Sequence, residues 1–159
     1  IAIIGTFAAF TYWFPKMFGT MMSDTLGKVH FWGTIIPFNI IFIPLFVLGI
    51  GGEHRRIYNY EHFPDLAGDG MFLLRQIATV ALLVMLVFQI VFFYNCYISW
   101  RRGEKAGKNP WKANTLEWTT ESPPPHGNWP EGLPNVYRGP YEYAHPDRKD
   151  DYWPQDEPA

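Results

Sequence analysis

The sequence predicts an all-α integral membrane protein: one partial and two full transmembrane helices within a larger helical bundle, plus an extended C-terminal tail. Three observations carry that expectation. Residues 1–100 hold 10 charged residues and 4 prolines, whereas residues 101–159 hold 18 and 10, so the mean hydropathy of -0.11 averages two unlike halves. Two apolar runs in the first half are long enough to cross a bilayer. The second half carries too much proline for continuous helix or a sheet core.

Residues 1–14, IAIIGTFAAFTYWF, are strongly apolar up to Pro15 and Lys16 and begin without Met. They lack the basic region and small-residue cleavage site of a signal peptide, and they read as the second half of a membrane helix. Residues 15–28 follow as a cytoplasmic loop. Residues 29–51 contain no Asp, Glu, Lys or Arg, and as a helix they would extend roughly 34 Å against a hydrocarbon core of about 30 Å. Pro37 and Pro44 lie inside this helix and would kink it, which a packed bundle tolerates better than a lone anchor. Asn39 and Gln89, at mid-depth, need hydrogen-bond partners and point the same way. Residues 52–70 form an outer loop, and residues 71–102 a second full helix with Arg75 near its start. That helix overshoots the core, so its end should project into water. Too little amphipathic sequence remains to wrap both helices in a soluble core.

Charge sets the orientation. Lys16, Lys28, Arg101, Arg102, Lys105, Lys108 and Lys112 fall on one side, Arg55 and Arg56 on the other, so the first side is cytoplasmic. Trp13, Trp32 and Trp100 then serve as interfacial anchors. The cytoplasmic tail, residues 103–159, has 4 basic and 9 acidic residues from Asn109 onward, a net of -5. Its aromatics, Trp111, Trp118, Trp129, Tyr137, Tyr141, Tyr143, Tyr152 and Trp153, are too many for a solvating tail and fit an extended strap against partner surfaces. A net charge of -2 and pI near 6.2 exclude a nucleic-acid partner. The single Cys96 excludes a disulfide framework or a cysteine zinc site. Acyl-transfer, phosphate-loop and dinucleotide fingerprints are absent from the sequence.

The outer loop, GIGGEHRRIYNYEHFPDLAGDG, holds the candidate site. Gly49, Gly51 and Gly52 relieve the backbone at the helix exit, and Arg55 and Arg56 follow side by side. Adjacent guanidiniums repel, so the pair suggests a fixed anion with carboxylate or phosphate geometry. Pairing with Glu53, Glu61, Asp65 or lipid headgroups explains the same residues. His54 and His62, near Glu53, Asp65 and Asp69, lack the tight spacing of a metal site, so interfacial hydrogen bonding is the reading and no metal ligand is assigned. His30, at the cytoplasmic boundary, reads as a packing residue before a proton carrier.

Several segments together resemble the last part of subunit I of the heme-copper oxidases, the cytochrome c oxidase core subunit. They are Tyr12-Trp13-Phe14-Pro15-Lys16, Thr25-Leu26-Gly27-Lys28-Val29-His30-Phe31-Trp32, then Asn39, Phe42, Pro44, Leu48-Gly49, Gly52 and Arg55-Arg56. Asn114-Thr115-Leu116-Glu117-Trp118-Thr119 and Ser122-Pro123-Pro124-Pro125-His126 continue the likeness. It covers roughly residues 1–130 and implies the second half of helix ten, then helices eleven and twelve. The chain departs from the family pattern at Glu53-His54, where Met-Pro is usual, and at Phe46, where a His is usual. It departs again at Asn59-Tyr60-Glu61, which replaces Asp-Tyr-Pro, and in a longer stretch before Leu116.

The resemblance implies that Arg55 and Arg56 hold the propionates of an a-type heme and that Phe42 packs against it. Copper would belong to the assembled enzyme and not to this chain, because the family's metal ligands lie on segments upstream of Ile1. The implied function is the C-terminal portion of a terminal oxidase core subunit that reduces O2 to water with electrons from cytochrome c and pumps protons. Alternatives are a nitric oxide reductase or quinol oxidase core, or a non-catalytic scaffold subunit of a membrane complex. Implied partners are the remainder of subunit I, other oxidase subunits, cytochrome c and membrane lipid. The expected location is the bacterial inner membrane in preference to the mitochondrial one.

Overall fold

The structure, a computed structural model, describes residues 2–54, 56–59, 68–142, 149 and 151–158. Three α-helices run in order: α1 (Ala2–Phe18), α2 (Asp24–Ile50) and α3 (Asp69–Arg102), followed by one 3-10 turn at Leu116–Trp118. No strand occurs among the described residues; Thr20 and Lys105 form an isolated antiparallel bridge. The all-helical expectation holds. The chain divides into two compact units, residues 23–96 and residues 1–22 with 97–159.

In the first of these units α2 begins at Ser23, whose hydroxyl caps the Leu26 N–H and whose main chain is gripped by Asn95. Asn95 Oδ1 accepts from Ser23 N at 3.1 Å and its Nδ2 donates to Ser23 O at 3.0 Å. The amide is 1% exposed, so both its ends are matched inside the unit. His30, Gly33, Thr34, Pro37, Ile41, Pro44 and Leu48 form the buried stripe of α2 at intervals of three and four. Ala78, Ala81, Phe92 and Asn95 are buried on α3.

Small residues and prolines thus make the contact, while Phe42, Ile43, Phe46, Val80, Leu83 and Ile90 stay more than half exposed. That inversion is what lipid favours: close backbone approach inside, bulky apolar side chains outside. Gly33 shows the closeness, since a Cβ there would fall within the Phe88 ring. Both α2, at 27 residues, and α3, at 34, are long and apolar enough to span a membrane. Pro37 and Pro44 are accommodated within one continuous helix, both of them buried. Gln89 finds partners on the neighbouring helix: its Oε1 lies 3.1 Å from His30 Nε2 and its Nε2 donates to Thr34 Oγ1 at 3.1 Å. Asn39 instead donates to the Ile35 carbonyl one turn back in its own helix, at 2.7 Å.

In the other unit α1 runs through Pro15 and ends where Gly19, at φ +72, donates to Pro15 O at 2.8 Å. A Cβ on Gly19 would come within 2.8 Å of Pro123 Cδ, so both the turn and the close approach require glycine. The chain leaving α1 then pairs with the chain leaving α3, through Met21 N to Glu104 O at 2.8 Å and Ala106 N to Gly19 O at 2.9 Å.

The tail has little regular structure, as its prolines require, yet side-chain amides order it from within. Asn114 Oδ1 accepts from Trp153 N at 2.7 Å, Gln155 Oε1 accepts from Leu116 N at 3.1 Å, and Gln155 Nε2 donates to Arg138 O at 2.9 Å. The Arg138 guanidinium lies 3.5 Å from the Trp153 ring centroid. Trp118 is 1% exposed, beneath Tyr12 and beside Lys16. Trp111, Tyr137 and Tyr141 remain exposed. At the surface, the Glu121 carboxylate accepts from Lys108 and raises its ammonium pKa above the ordinary lysine value.

Candidate functional site

The end of α2 is closed by glycine geometry. Gly52, at φ +95, donates to Gly49 O at 3.1 Å, and Glu53 N donates to Leu48 O at 3.0 Å. This pair of bonds satisfies the last carbonyls of the helix and turns the chain away from its axis. Arg56 follows at φ +66, a left-handed conformation uncommon for a residue with a side chain.

Below this turn, Phe42, Phe46 and Gly49 recur at intervals of four and three along one face of α2. Phe38 continues the line, its ring 4.4 Å from that of Phe42, centroid to centroid. Phe42, Phe46 and Gly49 line an open cavity of about 680 Å³ together with Ile43, Leu45, Glu53, His54, Arg56 and Ile57. Two of the three predicted site residues, Phe42 and Arg56, therefore face one space; Arg55 lies outside the described residues. The cavity has an aromatic and aliphatic wall and a guanidinium at its rim, a chemistry suited to a flat apolar group with an anionic edge.

Pairing of Arg56 with Glu53 does not occur. The Glu53 carboxylate instead accepts from Arg75 of α3, with Oε2 at 2.7 Å from Nη2 and 3.0 Å from Nε. Arg56 is exposed and forms no ion pair among the described residues. Glu61, His62 and Asp65 lie outside the described residues, and among those described no group of three metal-ligating side chains gathers. Sequence reasoning missed the Glu53–Arg75 pair. Its one signal was Arg75, the single charged residue between Met71 and Trp100, which needs a counter-charge near lipid.

Comparison with known proteins bears on the same residues. A family described as "Cytochrome C and Quinol oxidase polypeptide I" matches residues 1–84. The chain is 40% identical to the alternative cytochrome c oxidase subunit 1 of Bradyrhizobium diazoefficiens over 98% of its own length and 26% of that protein's. It is 40% identical to cytochrome c oxidase subunit 1 of Thermostichus vulcanus, over 90% of this chain and 24% of the relative. It is 39% identical to quinol oxidase subunit 1 of Bacillus subtilis, over 80% and 19% respectively. The chain thus spans about a quarter of the length of the first of these relatives. Two apolar spans and bacterial relatives place it in a bacterial inner membrane.

Proposed function

Because the chain belongs to the cytochrome c and quinol oxidase polypeptide I family, we propose that it forms the C-terminal portion of a terminal oxidase core subunit. The complex would reduce O2 to water with electrons from cytochrome c and pump protons, together with the rest of subunit I and further subunits. Within it this piece packs the helical bundle and braces the propionates of an a-type heme from the outer side. Copper would be held elsewhere in the complex.

The observation that carries this reading is the shared cavity of Phe42 and Arg56. Heme, when bound, supplies the redox chemistry. The aromatic line of α2 offers it a packing wall, and Arg56, with Arg55 beside it in sequence, offers fixed positive charge to its acidic edge. Ionised propionates near a low-dielectric core are costly without such cations. A quinol donor is the second reading, favoured by the Bacillus subtilis relative.

The test is an Arg55→Gln, Arg56→Gln double variant in the full-length assembled oxidase. Removing positive charge favours the ferric heme, so its midpoint potential should fall. Protonation of the propionates would offset the loss at low pH, so the shift should grow as pH rises. Potentials unchanged across pH would defeat the reading. Reduction of the purified complex by cytochrome c or by quinol decides the donor.

A further inference from the structure

An acidic residue in the wall of a cavity that receives an anion is out of place, and Glu53 is such a residue: it lines the same space as Arg56 and Phe42. We propose that Glu53 and Arg75 form a charge-neutral strut that positions the Arg56 turn and keeps the Glu53 carboxylate from competing for Arg56. The inference rests on the reading of this cavity as a propionate site.

Three features support it. Glu53 is held at its main chain by the helix cap, through the bond from its N–H to Leu48 O. Its carboxylate reaches across to α3 and receives two donors of one guanidinium, with both side chains largely withdrawn from solvent at 14% and 15% exposure. Only two residues of sequence separate Glu53 from Arg56, so tying Glu53 at both ends limits how far Arg56 can lie from it. Arg75 is also the one charged residue between Met71 and Trp100. A lone cation there would be unfavourable near lipid, and the Glu53 carboxylate accounts for it. The strut therefore adds a tether without adding net charge beside the anion's place.

The prediction concerns signs. In the assembled full-length oxidase, Arg75→Gln leaves the carboxylate unopposed, favours ferric heme and should lower the midpoint potential. Glu53→Gln leaves the guanidinium unopposed and should raise it. The Glu53→Gln, Arg75→Gln double variant should return close to the parent potential, with the heme-to-protein ratio retained. Spectroelectrochemical titration reads all three. If both single variants shift in the same direction, or neither shifts while Arg56→Gln does, the strut is wrong and the propionate reading stands. If Arg56→Gln and the Arg55→Gln, Arg56→Gln variant also leave the potential unmoved, the propionate reading itself falls. Should a single variant fail to assemble, the double variant carries the test: assembly with near-parental potential supports the strut, and failure of the double variant overturns it.

Discussion

The Lys16 ammonium donates to the main-chain oxygen of Thr120 at 2.6 Å, across 104 residues of sequence. It also reaches Thr120 Oγ1 and Glu121 O, each at 3.3 Å, and sits 5.3 Å from the centroid of the Trp118 ring. A lysine 7% exposed, satisfied by carbonyls instead of a carboxylate, fastens the base of α1 to the start of the tail.

Replacing Lys16 should loosen that fastening. Lys16→Met keeps the stem but leaves the Thr120 and Glu121 oxygens without their donor, at a cost of about 1–3 kcal/mol. Limited proteolysis of the membrane-extracted complex should release fragments from residues 108–142 sooner than in the parent. Unchanged release rates would show that the bond contributes little.

Gln89 bridges α3 to both His30 and Thr34 of α2. Gln89→Leu removes both links and should destabilise the helix pair by about 1 kcal/mol, since interhelical hydrogen bonds in lipid average about 0.6 kcal/mol each. Thermal denaturation in detergent reads the difference. A Thr34→Val variant, which deletes only one acceptor, should lose less.

How much of this was legible in sequence depended on the range of each signal. The spans of α2 and α3 follow from composition over consecutive residues, so the apolar runs reveal them directly. Gly52 at a left-handed turn follows from glycine at a helix exit. The Glu53–Arg75 bond joins residues 22 apart, one in the turn after α2 and one on α3, and no periodicity connects them. The internal order of the tail was hidden for the same reason: Asn114 and Gln155 act through side-chain amides on main-chain groups 39 residues away. Asn39 was expected to need a partner, but sequence could not say that it finds one on its own helix, where a short amide returns to the carbonyl one turn below it. Of the candidate site, Arg56 was singled out from its place beside Arg55 at the helix exit and Phe42 from the resemblance, and the two share a cavity.

The Gly33–Phe88 contact sets the closeness of α2 and α3. Gly33→Val would place its branches where the ring lies and should destabilise the pair by about 1–3 kcal/mol or more. A second change, Phe88→Ala, should recover part of that loss by vacating the volume. Thermal denaturation of the single and double variants measures the recovery, and purely additive losses would contradict direct packing at this point.

The two compact units differ in how they are written along the chain: residues 23–96 are continuous, whereas residues 1–22 must wait for residues 97–159. During synthesis the α2–α3 pair can close as soon as α3 emerges. The contact of Lys16 with Thr120 becomes possible only after 104 further residues have been added. Within this stretch the α2–α3 contact can therefore form before the contact between α1 and the tail.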